Sequence, residues 1–220
     1  MKKIEQRHIF LSSEGDRWFE RNKQVYSESR KDKVIDFIKA QELSPKRVLE
    51  IGCANGLRLH SLFKELGSDG YGVDPSSSAI ETGKQNYPHL HLSVATADSI
   101  YFEKDSFDLV ILGFCLYLCD REDLFTIAAK VDQVLENGGY IIIQDFLPPY
   151  PYKNKYSHCE GLYSYKFDHS RMFTWNPLYS MLATDISTHS ARELRTDVDE
   201  RVGISLLYKQ IDDAYPNKQK

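Results

Sequence analysis

The sequence predicts an α/β fold, a mostly parallel sheet with helices on both faces. Three observations carry that expectation. Short, continuously apolar runs alternate with segments of helical spacing between residues 47 and 145, the pattern of strands buried on both faces. Acids stand at or just beyond the ends of the first three runs, where ligands bind in such sheets. The 220 residues, 41% hydrophobic and 27% charged, suit one domain with a modest addition and exclude a disordered chain.

The elements follow in order. Residues 1–44 read as amphipathic helices, with Asp16 placed to cap a helix from Arg17. Val34-Ile35-Asp36-Phe37-Ile38 has helical spacing, and Ser44-Pro45 ends that helix. Arg47-Val48-Leu49-Glu50-Ile51 is the first strand, and Leu57 to Leu66 a helix closed by Gly67. Gly70–Asp74, Leu90–Ala95, Phe107–Leu112 and Tyr140–Asp145 are further strands. Ser76–Asn86 and Glu122–Leu135 are helices between them. The stretch 146–175 is long and aromatic, with Phe146, Tyr150, Tyr152, Tyr156, Tyr163, Tyr165, Phe167, Phe173 and Trp175. Such a loop suits a functional lid, assigned here to 148–172, and the alternation of Tyr163, Tyr165 and Phe167 predicts a β arm within it. Two last strands are expected near Met181–Ser187 and Gly203–Lys209, then a tail over 214–220. The N-terminal cap is set at 1–44 and the main domain at 45–213.

A net charge of −4 gives no general attraction for nucleic acid or anionic membrane. No apolar run is long enough to span a bilayer, and the charged start is not followed by a signal region; the expected location is the cytoplasm. Cys53, Cys115, Cys119 and Cys159 do not have the spacing of a disulfide framework. With no Cys-x-x-Cys pair, a zinc site at Cys115, Cys119, His158 and Cys159 is not favoured over buried thiols, and no metal is expected.

Chemistry concentrates in Glu50-Ile51-Gly52-Cys53-Ala54-Asn55-Gly56. A strand runs into a small-residue turn and then a helix, so main chain can approach a ligand. Glu50 puts a negative charge beside that turn, which a phosphate would not favour but an ammonium would. Asp74, ending the second strand, suits ribose hydroxyls. Asp98 in Ala97-Asp98-Ser99 suits an adenine amino group.

Together with Leu135-Glu136-Asn137-Gly138-Gly139-Tyr140, these motifs resemble the class I, Rossmann-like methyltransferases that use S-adenosylmethionine (SAM). The resemblance covers roughly residues 45–146. It implies a seven-stranded, mostly parallel sheet with an antiparallel final strand. It implies SAM as cofactor and S-adenosylhomocysteine (SAH) as product. Carried over by residue, Glu50, Gly52, Ala54, Asn55 and Gly56 form the methionine-end turn, and Asp74 is the ribose ligand. Pro75 and Ser76 flank the adenine, Asp98 and Ser99 touch its edge, and Phe114, Tyr117 and Leu118 line the transfer site. The segment Glu14–Asn22 resembles a cofactor cover in bacterial methyltransferases of surface-glycan and natural-product pathways. It offers Trp18 and Arg21, although Trp18 suits a core equally well.

The expected reaction is O-methylation of a small anionic or sugar-derived molecule, in surface polysaccharide synthesis. His158 or His169 would be the base, and Tyr117 and Tyr156 would position the acceptor. Lys153, Lys155, Lys166 and Arg171 would attract its charge, or form a solvated face. The alternatives are a small-molecule N-methyltransferase, a non-catalytic SAM-binding subunit and an NAD-dependent oxidoreductase. Glu50 and Ala97-Asp98-Ser99 are unexplained by the last. The partners expected are a small-molecule substrate and no nucleic acid or membrane, in a monomer or homodimer.

Overall fold

The computed structural model describes residues 5–25, 31–189 and 197–218. Residues 1–4 and 26–30 of the expected cap, 190–196, and 219–220 of the tail lie outside the described residues.

The helices are α1 (Gln6–Ile9), α2 (Gly15–Asn22), α3 (Lys33–Ala40), α4 (Leu57–Leu66), α5 (Ser77–Asn86), α6 (Leu124–Val134) and the single turn α7 (Arg171–Thr174). The strands are β1 (Arg47–Ile51), β2 (Asp69–Asp74), β3 (His91–Val94), β4 (Phe107–Gly113), β5 (Leu135–Phe146), β6 (Tyr152–Lys155), β7 (Tyr163–Lys166), β8 (Tyr179–Thr188) and β9 (Arg201–Lys209). Seven strands form one sheet in the order β3-β2-β1-β4-β5-β9-β8. β1 to β5 pair in parallel, and β9 lies antiparallel to both β5 and β8.

The period-two alternation of the strands divides the core. Leu49, Ile51, Val110, Leu112, Ile141, Ile143 and Leu207 pack on one face against Ile127, Val131 and Val134 of α6. Val48, Leu109, Ile111, Ile142 and Leu206 pack on the other against α3, α4 and α5. Each such side chain, removed from water, stabilises the fold by about 1.5–3 kcal/mol. At the end of α6, the buried Lys209 ammonium donates to the Asp132 and Leu135 carbonyls at 2.6 and 2.8 Å, satisfying a helix terminus.

Two expectations need correction. Asp16 does not cap its own helix; it lies inside α2 and caps α5 from outside, accepting from Ser78 N at 3.0 Å and from Ser76 Oγ at 2.7 Å. The predicted β arm forms, as a separate two-stranded hairpin of β6 and β7, and only its extent needs correction. Phe167 lies just outside it.

Candidate functional site

The main chain shapes the carboxyl edge of the sheet. Gly52 and Gly56 have φ of +81° and +78°, and Ala54 between them has φ +48°. A side chain at Gly52 would put its Cβ 2.8 Å from that of Cys115, and one at Gly56 would meet Leu90 and Leu92. Only glycine suits those two positions; Ala54 tolerates the left-handed region at a cost. Asp74 closes the turn: Oδ2 accepts from Ala54 N and Oδ1 from Ser76 N, both at 2.9 Å. Burial pushes its carboxyl up to about 6 against those two amides. Ser76 Oγ in turn accepts from Ala79 N at 3.0 Å, capping α5, as Ser and Thr favour. Asn55 is buried, and its side-chain oxygen accepts from Leu57 N at 3.3 Å. Pro75 lies close to Gly15, where an added Cβ would stand 3.2 Å from the Pro75 carbonyl carbon.

Glu50 is buried beneath this turn, and burial pushes it up to about 7 while Arg58 pulls it down. Its Oε1 accepts from Arg58 Nη1, but Oε2 has no hydrogen-bond partner among the described residues. Arg58 also donates to Asp32 and to Gln144, each at 2.8 Å. Sequence reasoning missed Arg58. Its signal was a cation in the first turn of a helix, against the helix dipole.

Asp98 stands near the end of β3, paired with Arg7 Nη1 at 3.1 Å; the same nitrogen reaches Asp123 at 3.1 Å. Ser99 spends its hydroxyl on a capping box with Thr96, within its own turn. Thus α1 and α2 are anchored at both ends, by Arg7 near Asp98 and by Asp16 on α5. Trp18 packs on Phe19, Ala54 and Ala79, against the glycine turn.

The edge beyond β4 is aromatic. Phe114, at φ +50°, meets the rings of Phe146 and His189 at 5.8 Å each. His189 stacks on Phe146 at 5.7 Å, and Tyr117 meets Phe146 edge-on at 5.1 Å. In the sequence Phe146 is one aromatic among many, and His189, remote from every motif, gives no signal.

The predicted lid residues separate. Tyr156 joins Arg21 on the Glu14 carboxylate. Lys166 is buried, paired with Asp199 at 3.1 Å, its ammonium 3.9 Å above the Phe146 ring. Asp199 also accepts from Tyr152 at 2.6 Å and Asn154 at 3.0 Å. Arg171 is exposed and paired with Asp168, and Lys153 lies over the Tyr163 ring. Lys153, Lys155 and His158 are exposed, with His158 against Tyr156. His169 is sealed in the core: burial, then Arg121, push it down to about 3. Its Nδ1 stands 3.9 Å from Asp145, and Arg121 lies across its other nitrogen at 3.4 Å. The four cysteines are free thiols.

This donor set fits SAM. The glycine turn admits close main-chain approach, the orphaned Glu50 oxygen awaits a donor, and Asp74 ends the second strand beside it. No helix among the described residues is long and apolar enough to cross a membrane.

Residues 48–139 match the family model described as a methyltransferase domain. Over 110 residues, 49% of this chain and 40% of the relative, the chain is 33% identical to phthiotriol/phenolphthiotriol dimycocerosates methyltransferase 1 of Mycobacterium ulcerans. It is 30% identical over 108 residues to demethylmenaquinone methyltransferase of Staphylococcus haemolyticus, 47% of this chain and 44% of that protein. The chain thus spans less than half the length of these two relatives. Among solved structures, the fold matches Burkholderia thailandensis 1,6-didemethyltoxoflavin-N1-methyltransferase with bound SAH, at TM-score 0.67 and 16% identity over 93% of this chain and 87% of that one. It also matches a SAM-dependent methyltransferase of Methanosarcina mazei at TM-score 0.63 and 17% identity, over 80% and 98%.

Proposed function

We propose that the chain is a class I, SAM-dependent methyltransferase that methylates a hydroxyl of a small, ring-bearing molecule; the methyltransferase-domain match over residues 48–139 and the fold support the first part. The observation that carries the acceptor side is the ring cluster of Phe114, Tyr117, Phe146 and His189 beside the glycine turn.

When bound, SAM supplies an electrophilic methyl group on a sulfonium. The protein's task is alignment of that group with a nucleophile and exclusion of water. Gly52, Ala54, Asn55 and Gly56, with Glu50 below, would hold the methionine end. Asp74, Pro75 and Ser76 would hold the ribose side, Asp98 the adenine, and Trp18 would cover it. The N-terminal helices act as the cofactor's cap and residues 148–172 as the acceptor's lid.

A hydroxyl acceptor gains from a base near neutral pH. His158 packs on Tyr156, and His169 is sealed and neutral, so neither is placed on the ring cluster. His189 is exposed as His158 is, but its ring packs on Phe114 and Phe146, and we assign it the role of accepting the hydroxyl proton at an imidazole nitrogen. The expected anionic glycan precursor relied on free cations. Lys166 and Arg171 are already ion-paired, so ring contacts carry the proposal instead, in keeping with relatives and neighbours named for quinone and heteroaromatic acceptors. One observation favours an amine acceptor as the second reading: the Lys166 ammonium over Phe146 shows that this wall accommodates a cation.

Calorimetry with SAH tests the cofactor; transfer of labelled methyl to separate panels of phenols, sugars and cyclic amines tests the acceptor. Failure to bind SAH refutes the whole reading. Turnover of amines alone would overturn O-methylation. Against a phenol or sugar substrate, His189→Ala should lower turnover about 10²–10⁴-fold, and His158→Ala should leave it within a few fold.

A further inference from the structure

Glu14 is fully buried, yet only half of its carboxylate is satisfied. Oε1 accepts from Arg21 at 2.5 Å and from the Tyr156 hydroxyl at 3.0 Å, and Arg21 also reaches that hydroxyl at 3.1 Å. Oε2 is enclosed with no hydrogen-bond partner among the described residues. Native proteins rarely leave such an atom without a donor.

Its placement is fixed from both sides. Glu14 ends a π-wound turn (Phe10–Glu14) between α1 and α2, a distortion frequent at functional sites. The next residue, Gly15, presses on the turn after β2: a Cβ there would stand 3.1 Å from Ser76 N and 3.2 Å from the Pro75 carbonyl carbon. Asp16 is then tied to Ser76, Ser77 and Ser78. Glu14 therefore sits one residue from the close approach of Gly15 to the strand end where ribose is expected. Asp74 there already gives each oxygen to a main-chain amide. A ribose diol brings two O–H donors, and a second carboxylate next to Pro75 would take one.

We propose that Glu14 is a cofactor ligand, its Oε2 accepting from a ribose hydroxyl, and that Oε1 ties cofactor occupancy to Tyr156 of the lid. The proposal rests on the reading that this chain binds SAM. The balance of donors explains why one carboxylate carries both a cap residue and a lid residue while keeping an oxygen in reserve.

Glu14→Gln preserves shape and one acceptor oxygen but replaces the orphan oxygen by an amide. Calorimetry of wild type and variant would use SAH and 5′-methylthioadenosine, which keeps the ribose but lacks the amino-acid end. About a tenfold or greater loss for both ligands is expected. Loss for SAH alone would mean that Oε2 takes the ammonium and would overturn the ribose assignment. Unchanged affinity for both would overturn the proposal, whereas a wild-type chain that binds neither would defeat the SAM reading itself. Hydrogen exchange over 152–166 should slow on saturating SAH in wild type and not in Glu14→Gln at equal occupancy; equal slowing would overturn the coupling. Should that variant fail to fold, Tyr156→Phe carries the same exchange test. It should bind SAH without slowing the lid, and full slowing would overturn the link through Oε1.

Discussion

The glycine turn and the segment proposed as a lid are held by different means. In the turn the backbone carries the structure: Gly52, Ala54 and Gly56 adopt left-handed conformations, and Asp74 ties two amides together. All of this lies within one β-α-β unit. In the lid, side chains carry it. Asp199 gathers Tyr152, Asn154 and Lys166 from a hairpin more than thirty residues earlier, and Glu14 gathers Tyr156 from 142 residues later. A local backbone device tolerates almost no substitution. A distributed side-chain device should weaken one contact at a time.

The largest effect is expected at Gly52→Ala. The new Cβ would stand 2.8 Å from that of Cys115, at φ +81°. The strain and the displaced turn should cost about 2–3 kcal/mol of stability and reduce SAH affinity by about a hundredfold or more. Calorimetry and urea unfolding check both; a variant that binds like wild type would remove the turn from the site. Asp74→Ala comes next. It deletes the expected ribose ligand and the acceptor of two amides, so SAH affinity should fall about ten- to a hundredfold, on the order of 1.5–3 kcal/mol. The melting temperature should fall as well, because Ala54 N and Ser76 N lose their partner.

The same contrast decides what was legible in the sequence. Val48–Gly56 could be read because hydrophobic run, glycine spacing and acid are local signals, and the strands around them appear within a few residues of expectation. Asp199, His189 and Glu14 could not be ranked, since nothing near them in sequence marks partners that lie 33 to 142 residues away. His169 looked available because it lies in an aromatic loop; its burial follows from Arg121 and Asp145, both distant. Asp16 has the residue type and position of a local cap, and tertiary packing turned it onto another helix. Local chemistry was readable to the level of the cofactor, and the acceptor side only as an aromatic segment.

A milder break is Asp199→Ala. Tyr152, Asn154 and Lys166 lose a shared acceptor, and the buried Lys166 ammonium keeps the Asp199 main-chain carbonyl and the Phe146 and Tyr152 rings. We expect hydrogen exchange in 152–155 and 163–166 to rise about tenfold, a local loss of about 1.4 kcal/mol. SAH affinity should stay within about twofold, because the turn is untouched. An equal fall in SAH affinity would show that lid and turn form one unit and would erase the contrast.

The smallest effect, and the one that tests a side-chain device set within the core, concerns Asp145. Its Oδ1 accepts from Phe146 N at 2.7 Å and its Oδ2 from Tyr117 N at 3.2 Å. It thus joins the end of β5 to the turn after β4. Burial pushes it up to about 7 from an ordinary 3.8, while burial and then Arg121 push neighbouring His169 down to about 3 from 6.5. An acid raised on folding lends stability that is fully present below about pH 4 and is lost as pH rises through 7. Glu50 and Asp74, raised to about 7 and about 6, act in the same direction. His169, lowered on folding, lends stability present above about 6.5 and lost as pH falls toward 3. Three acids oppose one histidine, so the ligand-free protein should lose stability between pH 5 and 7. Asp145→Asn deletes one of the three titrations while keeping one acceptor for the two amides. Denaturant unfolding at pH 5, 6, 7 and 8 should show a shallower fall than in wild type, by about 1 kcal/mol between pH 6 and 7. An unchanged slope would mean that Asp145 stays ionised in the folded protein, with the Tyr117 and Phe146 amides outweighing its burial.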